Sequence, residues 1–318
     1  MKAKLKYAPA CAVLLFFAAA ILVFPQRYMT ACFNGLCLWA ECVLPSLFPF
    51  TVITLILIKT GALNGAARPF KRFTKIFNLP QVAPPLMIMS VCSGYPTGSK
   101  FISEYREGGL LSASDCKKLA PLCSACGPLF ALGTIGGKAF QSAEVGIKLF
   151  AACLVSVTLT SLLYAKLTPK RETAERAVPL RAKEKGNLLY DSFYGAVIAV
   201  IVAGGFISFF YTLSQVFADF GIFQPLSALL TPVFGAETAQ GFCLGLIEAT
   251  GGAFRAASGN NFFTLPVTGF LVTFGGASIL CQQLCYLTRC RVPALFFIAF
   301  KLLQGVVCFA LLCLFSLI

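Results

Sequence analysis

This sequence predicts an all-α polytopic membrane protein made of two inverted-topology repeats with broken, re-entrant helices. Three observations predict it. The 318-residue chain is 58% hydrophobic and 12% charged, whereas soluble domains run near a quarter charged, and its mean hydropathy is +0.82. Two apolar stretches, 83–99 and 241–257, are too short and too rich in Gly or Pro to cross a bilayer straight. They stand at corresponding places in the two halves, where paired interruptions point to a solute site built from an internal repeat. Finally, Lys and Arg gather in short loops between apolar spans, which is the pattern that orients a membrane protein.

The elements follow in order. Lys2, Lys4 and Lys6 precede an apolar run over 7–24, read as an uncleaved first helix with a cytoplasmic N-terminus. Residues 1–32 thus form an N-terminal helix and loop. A second span covers 33–58, kinked near Pro45 and Pro49, where the ring removes a backbone donor. The loop 59–82 carries Lys59, Arg68, Lys71, Arg72 and Lys75 with no acid, so it is expected in the cytoplasm. Residues 83–99 enter and turn back, 100–118 return to the cytoplasm, 119–136 cross through a break at Gly127-Pro128, and 145–167 cross back. These make up a first repeat, 33–167. The linker 168–191 has more Lys and Arg than acids and separates the halves. The second repeat, 192–318, has spans at 193–215, 264–284 and 293–316, and the broken segment 241–257. Local features pair up: Gly94 with Gly251, Leu119-Ala120-Pro121 with Thr264-Leu265-Pro266, and Gly127 with Gly275 or Gly276.

Composition also excludes function classes. The chain has no histidine, the commonest general base and metal ligand. Most of its 15 cysteines lie in apolar segments, where thiols behave as small hydrophobes. Cys123 and Cys126 form a C-x-x-C with no second pair at zinc spacing. No metal, cofactor or enzymatic activity is expected, since clustered carboxylates, a nucleophile elbow and a Walker sequence are also missing. The net charge of +14 would suggest nucleic acid in a soluble protein; in short loops between spans it sets orientation instead. The expected partners are lipid and a small solute, with a homo-oligomer or other membrane proteins as further candidates.

Four clusters could carry chemistry. In the first, Ser93-Gly94-Tyr95-Pro96-Thr97-Gly98-Ser99-Lys100, Gly and Pro open the backbone, hydroxyls supply donors and acceptors, and Lys100 adds a cation. Exposed amides at a half-helix N-terminus attract anions; the alternative is an ordinary loop between buried helices. The second, Cys123-Ser124-Ala125-Cys126-Gly127-Pro128, serves either ligand contact or close helix packing. The third is Glu248-Ala249-Thr250-Gly251-Gly252 with Arg255 downstream. A carboxylate at membrane depth is expensive and functional by default, either as a coupling proton or sodium site or as a partner for Arg255; the alternative is a wet interfacial position. The fourth, Thr273-Phe274-Gly275-Gly276-Ala277-Ser278 with Gln282 and Gln283, combines close packing with a polar lining or a headgroup position.

The ordered set SGYPTGSK (from Ser93), GPLF (from Gly127), EATGG (from Glu248) and FGGASI-x-x-QQ (from Phe274) resembles the sporulation integral membrane protein family. That family is part of the nucleoside-recognition or Gate-domain group, and the resemblance covers roughly residues 30–316. It implies a polytopic inner-membrane protein with two Gate-like halves, similar to the gate portions of concentrative nucleoside carriers and ferrous-iron permeases. Members concerned with sporulation are tied to moving dipicolinic acid toward the forespore, at the outer forespore membrane. The positions that match are Gly94, Tyr95, Pro96, Gly98, Lys100, Gly127, Pro128, Glu248, Thr250, Gly251 and Gln282. Family members often carry asparagine where this chain has Cys123-Ser124-Ala125-Cys126, so amide donors are lost there. Dipicolinate is a flat dianion, and half-helix N-termini with Lys100 and Arg255 would offset its charge. A nucleoside would want amides and hydroxyls and no fixed positive charge. A non-transporting membrane scaffold is the remaining reading.

Overall fold

The computed structural model describes residues 8–60, 62, 71–80, 82–168 and 187–317, and their regular structure is entirely helical. Five helical segments are long and apolar enough to cross a membrane: Pro25–Lys59, Ala143–Leu167, Leu188–Asp219, Thr264–Leu287 and Ala294–Phe315. Their outward faces expose large apolar side chains such as Leu159, Leu163, Ile201, Leu302 and Val306, as lipid contact requires. The chain is a multi-pass integral membrane protein. The basic loop residues near 63–70, the N-terminal lysines and most of the 168–191 linker lie outside the described residues.

The first described helix, α1, covers Ala8–Val23. It ends where Pro25 opens α2 (Pro25–Leu38), so the second span begins before residue 33. After a π-helical stretch, Trp39–Val43, the chain continues as α3 (Leu44–Lys59). Where the sequence predicts a kink near Pro45 and Pro49, the helix is π just ahead of Pro45 and runs on through Pro49, and the cause at Pro45 is visible. Pro45 has no N–H for the carbonyl of Glu41, four residues back. That carbonyl accepts from Lys138 Nζ at 2.7 Å instead, and the next one, of Cys42, accepts from Thr134 Oγ1 at 2.9 Å.

A short α4 (Lys71–Ile76) leads to a helical hairpin, α5 (Ala83–Ser93) and α6 (Thr97–Glu107). The capping box of Ser112 and Asp115 starts α7 (Ala113–Leu122). An irregular stretch at 123–127 then leads into a π-helical run, Phe130–Ala139, before α8 (Ala143–Leu167). Ser142 caps α8, and Glu144 and Lys166 lie at the ends that the helix dipole favours.

In the second half, Asn187 caps the long α9 (Leu188–Asp219). Next come α10 (Gln224–Phe234), a second hairpin of α11 (Ala236–Gly245) and α12 (Ala249–Ala257), then α13 (Thr264–Phe274), α14 (Gly276–Leu287) and α15 (Ala294–Phe315). The α2–α3 segment runs antiparallel along α9. Arg27 pairs with Asp219 at one end, and Lys59 lies 3.8 Å from Asp191 at the other. These two ends orient everything else. The first hairpin opens at the Lys59 end, where Glu104 pairs with Lys100 and Ala83 shares a core cluster with Leu111 and Val292. The second opens at the Asp219 end, where Ala218 and Gln240 line one cavity and Glu237 pairs with Arg255. Within the stretch 100–118, Phe101, Ile102, Tyr105 and Cys116 in α6 and α7 are buried.

Candidate functional site

Each hairpin tip docks, backbone to backbone, on the break in the helix that follows it. In the first half the Tyr95 N–H donates to the Ala125 carbonyl at 3.0 Å. Gly94 has φ of +71°, and a Cβ there would stand 2.5 Å from the Gly127 nitrogen, so only glycine allows both the turn and the approach. In the second half the Ala277 and Ser278 N–H groups donate to the Leu246 and Ile247 carbonyls at 2.8 and 2.9 Å. Gly275 and Gly276, with φ of +91° and +59°, make that break.

The two junctions are joined across the molecule. Tyr95 Oη donates to the Val272 carbonyl at 3.1 Å, and Ser99 Oγ donates to Gln283 Oε1 at 3.3 Å. Between them lies a cavity of about 30 Å³, lined by residues of both halves. Ser93, Gly94, Tyr95, Pro96 and Gly127 face it from one side, and Thr250 and Gln282 from the other. It has room for roughly two waters. Among the described residues its lining holds no Lys, Arg, Asp or Glu.

The remaining expected residues sit elsewhere. Thr97 and Gly98 are buried in the first turn of α6, and a Cβ on Gly98 would collide with the Cys123 carbonyl. Pro128 follows the break. Lys100 lies off the cavity, with Nζ 4.0 Å from Glu104 and 3.4 Å from the Gly195 carbonyl.

Glu248 is 1% exposed and does not meet Arg255. Its carboxylate accepts from its own chain, the Thr250 and Gly251 N–H groups at 3.0 and 2.6 Å. An acid is favoured at such an uncapped N-terminus by both hydrogen bonds and dipole. Arg255 instead pairs with Glu237 at 2.9 Å and donates to Gln240. Glu248, Gly251 and Arg255 do share a second cavity of about 340 Å³ between α9 and the second hairpin, and it reaches the surface at Gln240 and Arg255. The hairpin bends at Leu246–Glu248, three residues before the Gly251 that the sequence pairing matched with Gly94.

Sequence reasoning missed Ser46 and Ile207, which also line the central cavity, and Lys301 and Gln304, buried in α15 against the first break. A charged residue inside an apolar 22-residue run was the available signal for Lys301.

Sporulation integral membrane protein YlbJ of Bacillus subtilis (strain 168) is 27% identical to this chain, over 92% of the chain and 78% of that protein. The similarity supports a place in the sporulation integral membrane protein family. The motifs that carry the resemblance have a structural meaning: each lies at a hairpin tip or a helix break. No family model matches the chain, and no solved structure matches it.

Proposed function

We propose that this protein carries a small solute, most consistently the dianion dipicolinate during spore formation, by alternating access between two inverted halves. The observation behind the reading is the meeting of both junctions at one cavity. In each half a long segment, a short helix, a hairpin, a broken helix and a further long helix follow in the same order. The hairpins open at opposite ends of the molecule, as an inverted repeat requires. With the basic loops inside, the Lys59 end faces the cytoplasm, or the mother cell if the membrane is the outer forespore membrane. The small central cavity then corresponds to a state closed around its site, with the Glu248 cavity a path toward the opposite side.

One observation favours a neutral, nucleoside-like solute: the central cavity presents hydroxyls and the Gln282 amide, while Lys100 and Arg255 are engaged elsewhere. Uptake of radiolabelled dipicolinate and of uridine into proteoliposomes separates the readings. Saturable dipicolinate uptake is expected. Uridine uptake alone would move the substrate to nucleosides, and uptake of neither by folded protein would favour a scaffold.

A further inference from the structure

We propose that the Lys301 ammonium is a tethered ion filling a monovalent-cation site at the first break, so that this chain needs no soluble cation there. Lys301 is fully buried, as are Gln304 beside it and Ser124 across from it. The sequence creates the site. Pro128 has no N–H for the carbonyl four residues back, that of Ser124, and the helix is unwound there. That carbonyl accepts from Lys301 Nζ at 2.8 Å, with Ser124 Oγ at 3.5 Å. One turn earlier the Pro121 carbonyl, at the end of α7, accepts from Gln304 Nε2 at 3.0 Å and from Ser124 Oγ at 2.7 Å.

Free carbonyls at the C-terminal end of a half-helix form a negative, cation-attracting pole, and unwound carbonyls of this kind coordinate coupling cations in carriers. An ammonium has three donors and is costly to bury unless something compensates its charge. Among the described residues no carboxylate lies within ion-pair distance of Lys301. Its other neighbours are the Tyr95 ring, centred 6.0 Å away, and the thiols of Cys126, Cys153 and Cys308. The direct compensation therefore comes from the Ser124 carbonyl and hydroxyl and from the half-helix dipole behind them, oxygen ligands of the kind a small monovalent cation would use. Because Lys301 belongs to the second half and Ser124 to the first, the tethered ion also holds the halves together one layer behind the cavity wall at Tyr95. The site stands on this geometry; only its meaning, carriage without sodium coupling at this point, rests on the transport reading.

Melting of the purified full chain tests it without any substrate. Wild type and Lys301→Ala would be compared in chloride salts of lithium, sodium, potassium and the bulky N-methylglucamine. Wild type is expected to melt at one temperature in all four. Lys301→Ala is expected to melt several degrees lower in N-methylglucamine and to regain most of the loss in one small cation, through ordinary binding linkage. Equal loss in every salt would overturn the proposal and leave Lys301 a structural strut, and so would sodium-dependent melting of the wild type. If Lys301→Ala does not survive extraction, Lys301→Ser serves in its place, its hydroxyl adding an oxygen ligand beside Ser124; the wild-type comparison stands without either variant. Failed uptake alongside cation rescue would refute carriage and keep the site.

Discussion

At the residue scale, Glu248 is where structure and expectation diverge most usefully. A buried carboxylate with no cation beside it is held by two backbone N–H groups of its own helix. It fixes the bend of the second hairpin and lines the larger cavity at the same time. Glu248→Gln keeps one carbonyl oxygen for the cap but removes the charge. We predict an inserted, folded variant whose stability falls by no more than about 1 kcal/mol, the usual scale of a lost cap, and whose uptake in proteoliposomes is abolished. Full uptake by the variant would take Glu248 out of the mechanism. The Glu248–Arg255 pair that the sequence left open does not form, because Glu237 and Gln240 on the facing helix are closer partners for Arg255.

At the element scale, glycine decides where helices can touch. Gly245 and Gly252 face each other inside the second hairpin, and a Cβ on Gly252 would stand 2.8 Å from the Gly241 carbonyl. Gly205 in α9 has nothing within 4 Å of its would-be Cβ. The two positions should therefore respond oppositely. Gly252→Leu is expected to lower the melting temperature by an amount equivalent to about 1–3 kcal/mol, the cost of overpacking, or to prevent folding. Gly205→Ala should stabilise α9 by about 0.5–1 kcal/mol through helix propensity alone. A neutral Gly252→Leu would mean that the hairpin arms are not packed as described. Some interruptions were legible in the sequence because Pro and Gly act locally: Pro45 announced the π stretch and Gly127-Pro128 the first break, whereas 264–284 reads as one span and is broken at Gly275-Gly276. The bend at Leu246–Glu248 was not legible to the residue, since no Pro or positive-φ Gly marks it and a side-chain cap makes it.

At the scale of the whole molecule, the pairing of the α2–α3 segment with α9 sets two ends, and the hairpins open at opposite ones. The prediction is one of sidedness. In a background stripped of reactive native cysteines, a cysteine at Gly109 should be labelled by an impermeant reagent only from the Lys59 side. One at the exposed Asn260 should be labelled only from the Asp219 side. Labelling of both from one side would exclude the inverted arrangement. About half of the expected site residues converge on the central cavity. Those that do not, among them Lys100 and Arg255, were chosen for charge and sequence proximity, and α6 and α12 carry them past the tips toward the two ends.

The sequence by itself determined that this is a helical, multi-pass membrane protein with interruptions near 94–96, near Gly127-Pro128 and within 241–257. Hydropathy and backbone chemistry are local properties that solvent and sterics read directly. Only the tertiary structure decided which interruption meets which, and that Lys301 from the last helix donates to the Ser124 carbonyl exposed by Pro128. Those outcomes depend on contacts between residues as many as about 180 positions apart, whose partners are chosen by packing and by the need to satisfy each buried polar group.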